Sequence, residues 1–142
     1  MEKSQEFCAF LLNKLLFGVP IDDVQEVLRY QTVTFVPCAP RAIRGLINLR
    51  GRITTAIDLR SRLDMPPFPD DHPMNVVVRS SDGEVVSLLV DQIDDIIRVP
   101  DEFFEKAPDT LSRSARELVL GAYKLDKRLL LTLDTERVIN IK

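Results

Sequence analysis

Short apolar runs separated by polar pairs recur along the chain and predict a mainly β fold. Residues 7–12 and 15–20 are two such runs, and Asn13-Lys14 between them suits a turn. Residues 45–63 predict a hairpin that turns at Asn48-Leu49-Arg50-Gly51. Ser81-Asp82-Gly83 carries a second hairpin signal. Further strands are predicted over residues 32–36, 75–79, 84–90, 119–124 and 128–133.

The spacing of apolar residues changes in a few short segments, where it predicts helices. Val24, Val27 and Leu28 lie three and four residues apart, as on one helical face. Asp22 and Gln25 have the spacing of a capping box at the start of that segment, so a helix is predicted over residues 21–28. Short helical segments are also predicted over residues 41–44, 91–97 and 134–139, and irregular connections over residues 65–73 and 100–114.

The two halves of the chain resemble each other. Residues 21–29 align with residues 90–98 at an offset of 69 (90 − 21), and residues 45–63 align with residues 121–139 at an offset of 76 (121 − 45). Identical pairs include Asp22/Asp91, Arg29/Arg98, Gly45/Gly121, Leu49/Leu125, Arg52/Arg128 and Asp58/Asp134. The simpler alternative is that any two β-hairpins look alike.

Halves of this size are too small for separate large cores. The repeat therefore predicts one domain over residues 1–142, made of two small β-barrel subdomains joined face to face with a groove between them. Their boundaries are predicted at roughly 1–70 and 71–142, and terminal strands can exchange between the halves.

Composition narrows the function classes. The 142 residues are 45% hydrophobic and 29% charged, which suits one domain with a buried core. A net charge of −3 with scattered basic residues argues against nucleic-acid binding. Neither a secretory signal nor an apolar membrane span is recognisable, so we expect a cytoplasmic protein without direct membrane insertion. Cys8 and Cys38 lack metal-site spacing and are expected to be reduced.

The residues offer little catalytic chemistry. His72 is the only histidine, and no phosphate-binding loop is present. Acidic pairs occur at Asp22-Asp23, Asp70-Asp71 and Asp94-Asp95, but adjacent side chains on a helix point in different directions. We therefore expect no enzyme, metal or cofactor. A small acid-dependent hydrolase built around Asp94 stays as the alternative.

An interaction module is the stronger prediction. The apolar residues Val24, Val27, Ile93 and Ile96 recur in the two repeats. They are either ordinary core residues or the lining of a groove in which an amphipathic helix docks.

The motifs then point to a known family. Residues 37–63, PCAPRAIRGLINLRGRITTAIDLRSRL, resemble the signature of CheW-like chemotaxis coupling proteins. Residues 15–29, 85–99 and 120–134 resemble further parts of that family in the same order. The most specific element is Gly-x-x-Asn-x-Arg-Gly at residues 45–51.

This resemblance implies two SH3-like, five-stranded β-barrel subdomains. It also implies a non-catalytic adaptor that links methyl-accepting chemoreceptors to the regulatory domain of the histidine kinase CheA, associates with receptors at the inner face of the membrane, and takes part in ring or array assembly. The cytoplasmic helical tip of the receptor would dock between the subdomains. The receptor-binding residues implied by motif match are Cys8, Ile21, Val24, Val27 and Ile93 as apolar lining, with Glu26, Gly45, Asn48 and Arg50 as coupling positions.

Two questions stay open at this level. The same adaptor role could serve another receptor–kinase pathway that controls surface motility or gene expression. Arg50 could hold its hairpin in place through an ion pair, or it could meet a receptor carboxylate.

Overall fold

The computed structural model describes residues 3–69 and 72–141, and these residues form a mainly β protein with short helices. Asp70 and Asp71, one of the acidic pairs, lie outside them. The strands are β1 (Ser4–Leu12), β2 (Leu15–Pro20), β3 (Val24–Leu28), β4 (Ile43–Leu49), β5 (Arg52–Asp58), β6 (Met74–Arg79), β7 (Val85–Val90), β8 (Gln92–Pro100), β9 (Phe104–Glu105), β10 (Val119–Lys124) and β11 (Leu129–Leu133). The helices are α1 (Leu59–Arg62), α2 (Arg113–Leu118) and α3 (Thr135–Ile139), and 3₁₀ turns lie at Ile21–Asp23 and Asp101–Phe103.

The strands form two sheets, and the chain crosses between them twice. The six-stranded sheet has the order β8-β1-β2-β11-β10-β9, and the five-stranded sheet has the order β3-β6-β7-β5-β4. The first crossing follows β2 and the second follows β7. Each sheet therefore takes strands from both halves of the sequence. The pairs β2–β11 and β5–β7 are parallel, and the other pairs are antiparallel.

The predicted all-β class with short helices is confirmed. The C-terminal helix and the four predicted strand pairs, within residues 7–20, 45–63, 75–90 and 119–133, are confirmed as well. The six-stranded sheet exceeds the expected five strands because the two-residue β9 is added at its edge. Within the described residues, each sheet is open in its strand pairing, since its two outermost strands are not paired with each other.

Two predicted helices are instead mainly strands. Residues 21–28 begin with one 3₁₀ turn and continue as β3, and residues 91–97 fall almost entirely in β8. Asp22 does not cap the turn, whose N-cap residue is Pro20. The apparent helical spacing arises partly because a β-bulge between Val24 and Glu26 shifts the strand's alternation. Pairing of β3 with β6 and of β8 with β1 outweighs the local pattern.

The strand predicted over residues 32–36 is only one isolated bridge. Thr34 exchanges two backbone hydrogen bonds with Leu46 of β4, each 2.8 Å long. Cys38, at φ +64°, then turns the chain, and Ile43 already belongs to β4, so the helical turn predicted over residues 41–44 is wrong as well.

Both repeats carry a glycine at the same position because another segment of the chain comes very close there. A Cβ on Gly45 would overlap the Thr34 carbonyl oxygen, and a Cβ on Gly121 would overlap the Phe104 ring. In each sheet, an extended segment pairs with the first strand of a hairpin: Thr34 with β4, and Phe104 of β9 with β10. Glycine permits this close backbone approach.

One hydrophobic core joins the two sheets. Phe10 and Phe17 of the six-stranded sheet stack with ring centroids 6.4 Å apart and belong to the same buried cluster as Val76 and Leu88 of the five-stranded sheet. Leu59 of α1 and Val138 of α3 close this cluster. Burial of apolar surface therefore stabilises the contact between the sheets as well as each sheet.

Candidate partner-binding site

The two crossings lie along the seam, which we define as the line where the two sheets meet. The 3₁₀ turn at Ile21–Asp23 contacts β1, and β8 contacts β6 in addition to its own neighbour β1. Ile21 and Val24 belong to the first crossing and Ile93 to the second. All three side chains are half-buried against the shared core, so their outer surfaces face solvent beside the seam.

The other two residues predicted to line the groove differ in exposure. Cys8 is only 4% exposed, and burial raises the pKa of its thiol, so it packs beneath the surface. Val27 is 43% exposed on β3. Ile96 of β8, which is paired with Cys8, is 59% exposed. In β3 and β8, the strands that follow the two crossings, the exposed apolar surface therefore comes mainly from Val27 and Ile96.

Glu26 and Arg50 come together as an ion pair in the five-stranded sheet. Arg50 Nη1 donates to Glu26 Oε2 at 2.9 Å. Glu26 lies on β3 and Arg50 in the β4–β5 turn, although β3 and β4 are the outermost strands on opposite sides of the sheet. The contact between them shows that the sheet is strongly curled, as expected of a twisted sheet with a small radius.

Asn48 shapes the turn that presents Arg50. Its Oδ1 accepts a hydrogen bond from the Gly51 backbone N–H at 2.8 Å, as asparagine side chains do in tight turns. Arg50 at φ +52° and Gly51 at φ +86° both have left-handed backbone conformations. The Arg50 side chain is 79% exposed, whereas that of Glu26 is 17% exposed. The ion pair therefore anchors Arg50 while leaving most of its guanidinium accessible.

An open cavity of about 490 Å³ adjoins this ion pair. Its lining includes Glu26, Arg50, Arg52 and Ile53. The sequence analysis missed Ile53, whose side chain is 67% exposed although the neighbouring Thr54 is 5% exposed. The sequence carries no signal for this exposure, because an isoleucine followed by two threonines does not show which face of the strand is buried.

The predicted site residues thus form two groups. Ile21, Val24 and Ile93 flank the seam. Asn48 near the end of β4 and Arg50 in the β4–β5 turn belong to one hairpin, and Glu26 of β3 binds Arg50. Gly45 stands apart because its contacts are with the Val33–Thr34 segment. Their role in receptor binding stays a prediction.

The acidic residue of the hydrolase alternative is engaged elsewhere. Asp94 Oδ2 accepts from Arg128 Nη1 at 2.7 Å. Within residues 3–69 and 72–141, no group of three or more His, Cys, Asp or Glu residues is arranged to hold a metal ion. Over the same residues, no helix is long and apolar enough to cross a bilayer.

Comparisons with known proteins agree with this architecture. The sequence profile of the CheW-like domain matches residues 6–142. A probable chemotaxis protein CheW from Rhizobium etli is 32% identical over 136 residues, covering 96% of this chain and 88% of that protein. Chemotaxis protein CheW from Klebsiella aerogenes is also 32% identical over 136 residues, covering 96% and 82%. The crystal structure of the scaffolding protein TtCheW from Thermoanaerobacter tengcongensis superposes with a TM-score of 0.85 at 26% identity, covering 99% and 95%.

Two joined β-sheets that bury one core and expose apolar residues along their seam define a protein-binding module. The chain belongs to the CheW-like domain family, since that family's profile spans nearly its whole length.

Proposed function

We propose that this protein is a non-catalytic chemotaxis adaptor that couples methyl-accepting chemoreceptors to the histidine kinase CheA. The observation that carries the proposal is the apolar seam beside an exposed, anchored arginine, on a fold shared with a CheW scaffolding protein. Binding to both partners at once would hold them at a fixed separation, so that a change in one is transmitted to the other.

The receptor's cytoplasmic helical tip is the proposed occupant of the seam. An amphipathic helix buries one apolar stripe in a hydrophobic groove and leaves its polar face outside. Val24, Val27 and Ile93 supply apolar contacts at different depths, since Val27 is exposed and the other two are half-buried. Arg50, held by Glu26, would pair with an acidic side chain of the helix.

The kinase contact and the cellular setting complete the proposal. The regulatory domain of CheA is the proposed second partner, and the adaptor would work in the cytoplasm at receptors on the inner face of the membrane.

Each sheet with its attached helices would act as one subdomain of a single domain over residues 1–142. Repeated head-to-tail contacts between such subdomains can close into rings, and weak contacts gain strength when several act together.

The test is binding of a chemoreceptor cytoplasmic fragment and of CheA by isothermal titration calorimetry. We expect Val27→Asp to weaken receptor binding at least tenfold, which corresponds to about 1.4 kcal/mol, because it places a charge in an apolar contact. Leu120→Asp is the matched control, since Leu120 is 55% exposed on β10 and β10 is separated from the crossing strand β8 by three strands. A folded wild-type protein that binds neither partner would refute the proposal.

A further inference from the structure

Two arginines of α1 reach from the five-stranded sheet to elements of the six-stranded sheet. Helix α1 directly follows β5, and Asp58 caps it by accepting a hydrogen bond from the Ser61 backbone N–H at 3.0 Å. Arg60 and Arg62 both leave this single helical turn towards the second crossing and α3. The sequence analysis gave neither arginine a role.

Arg60 binds the residue at which the chain crosses between the sheets for the second time. Its Nε and Nη2 donate to the two carboxylate oxygens of Asp91 at 2.8 and 2.5 Å. Asp91 in turn accepts from the Asn13 backbone N–H at 2.9 Å and donates its own N–H to the Leu11 carbonyl at 3.1 Å, so it is fixed to the β1–β2 hairpin.

The surroundings of Arg60 leave its side chain little freedom. The residue is only 7% exposed, and its Nη1 donates to the Pro66 and Pro67 carbonyls at 3.1 and 3.2 Å. The guanidinium also lies over the Phe68 ring, with its central carbon 5.3 Å from the centroid. The hydrogen bond to Asp91 raises the pKa of Arg60, so the guanidinium stays charged. Such a partly buried pair adds little net stability, because the cost of removing both charges from water offsets much of their attraction.

Arg62 forms a second contact of α1, with the end of helix α3. Its guanidinium donates to three backbone carbonyls at the end of α3, those of Arg137 at 2.8 Å, Val138 at 3.3 Å and Asn140 at 3.3 Å. The last carbonyls of a helix lack partners within the helix, so Arg62 supplies them. Helix α3 directly follows β11 of the six-stranded sheet in the chain, so Arg62 connects α1 to a segment that continues from that sheet.

The second repeat has no such pair of arginines. Its positions corresponding to Arg60 and Arg62 at the offset of 76 are Glu136 and Val138. Asp22, which corresponds to Asp91 at the offset of 69, accepts no side-chain hydrogen bond or ion pair from the described part of the chain. Both crossings therefore have apolar packing, from Ile21 and Val24 at the first and from Ile93 at the second, but only the second adds a partly buried ion pair among the described residues.

We propose that α1 is a clasp between the two sheets, in which Arg60 and Arg62 are positioning residues that set the shape of the seam. Arg60 fixes Asp91, and Ile93 follows two residues later at the seam. Lysine retains the charge at either position but lacks the planar fork that binds two acceptors at once. Lysine substitution should therefore change where the sheets lie relative to each other without removing the positive charge.

The first test measures the distance between the sheets. Spin labels are placed at the exposed residues Ile53 of β5 and Leu120 of β10, in a protein whose exposed Cys38 is replaced by serine. Double electron–electron resonance should give a shifted or broadened distance distribution for Arg60→Lys and Arg62→Lys. The matched control is Arg128→Lys, because Arg128 pairs with Asp94 within the six-stranded sheet, and it should leave the distribution unchanged.

A residue that only stabilises the fold would lower the unfolding midpoint but would not move this distribution in the folded protein. Arg62→Lys loses only backbone contacts near the surface, so it provides a folded variant even if Arg60→Lys does not fold. Unchanged distributions in folded lysine variants would overturn the clasp.

The second test is binding of the chemoreceptor fragment, and only this test rests on the proposed function. We expect each α1 variant to weaken binding about 3- to 30-fold, the range found for residues that act on a site without touching its ligand, and Arg128→Lys to bind like wild type. A wild-type protein that fails to bind would count against the proposed function, whereas the distance measurement would still decide the clasp. Wild-type binding by variants with altered distances would overturn the role of α1 at the seam.

Discussion

Each of the two sheets contains an ion pair between an arginine of a hairpin and a carboxylate of an outermost strand, and the two arginines differ in how far they are exposed. In the five-stranded sheet Arg50 of the β4–β5 turn binds Glu26 of β3 at 2.9 Å, and in the six-stranded sheet Arg128, just before β11, binds Asp94 of β8 at 2.7 Å. Both ion pairs join a hairpin to the outermost strand on the other side of the sheet. They differ in exposure, since the Arg50 side chain is 79% exposed and that of Arg128 is 49% exposed.

This comparison separates what the two hairpins share from what is particular to the five-stranded sheet. The arginines do not occupy equivalent positions: Arg128 corresponds to Arg52 at the offset of 76, and Arg50 corresponds to Asp126. An ion pair that holds a curled sheet can therefore come from either position of the hairpin. What the five-stranded sheet adds is the Asn48-capped turn and the exposed Ile53, whose counterpart Leu129 is half-buried.

The largest expected effect concerns a feature that the two sheets share. Gly45→Val and Gly121→Val should each lower the free energy of unfolding by about 3 kcal/mol, the upper part of the range for overpacking. The new side chain would collide with the segment paired beside it, Thr34 in the first case and Phe104 in the second. Urea denaturation followed by circular dichroism measures this. Gly83→Ala is the control, because its Cβ would meet nothing within 4 Å and should cost only the backbone strain of a side chain at φ +90°, about 1–2 kcal/mol; equal losses at Gly83 and Gly45 would contradict the steric explanation.

The second prediction separates the two ion pairs. Arg50→Ala and Arg128→Ala should each change the free energy of unfolding by only about 0–1 kcal/mol, as exposed ion pairs do. Only Arg50→Ala should weaken binding of the receptor fragment, by about tenfold or 1.4 kcal/mol. Thermal unfolding and titration calorimetry on both variants provide the comparison. A large loss of stability in Arg50→Ala would show that this arginine is mainly structural.

A smaller effect is expected from the apolar residues beside the two turns. Ile53→Ser should change the free energy of unfolding by no more than about 0.5 kcal/mol, as surface substitutions usually do, since its side chain is 67% exposed. Leu129→Ser should cost more, because Leu129 packs against the shared core. Equal costs in chemical denaturation would show that Ile53 is packed as well as Leu129 and is not an open binding surface.

The smallest effect is chemical and leaves the fold unchanged. Cys38 is exposed in the segment that leads to β4 and should react quickly with a thiol reagent such as DTNB. Cys8 should react only on unfolding, because burial blocks access and raises the pKa of its thiol, which lowers its thiolate fraction at neutral pH. Two rapidly reacting thiols in the native protein would mean that the shared core beneath the seam is open.

The sequence predicted the hairpins well because their signals are local. Asn13-Lys14, Asn48–Gly51 and Ser81-Asp82-Gly83 mark turns between apolar runs, and the structure has a strand on each side of all three. The repeat also identified Gly45 and Gly121 as a matching pair. Their shared reason, close approach by a segment distant in sequence, became visible only in the structure.

What the sequence could not predict depends on partners far along the chain. Residues 21–28 have a helical spacing, but β6, about fifty residues away, recruits them into a sheet. Arg60 and Asp91 lie 31 residues apart and carry no motif that pairs them. The same holds for Glu26 and Arg50, whose contact requires the sheet to curl. The resemblance to the family therefore pointed to Glu26 and Arg50 without indicating that their side chains touch.

The most direct test is a titration of the isotope-labelled protein with a chemoreceptor cytoplasmic fragment, followed through backbone amide resonances. The account predicts that the largest shifts fall on Ile21, Val24 and Ile93 at the seam and on Arg50 in the turn, while Leu120 is unaffected. Shifts confined to β9 and β10 of the six-stranded sheet, or none at saturating fragment, would contradict it.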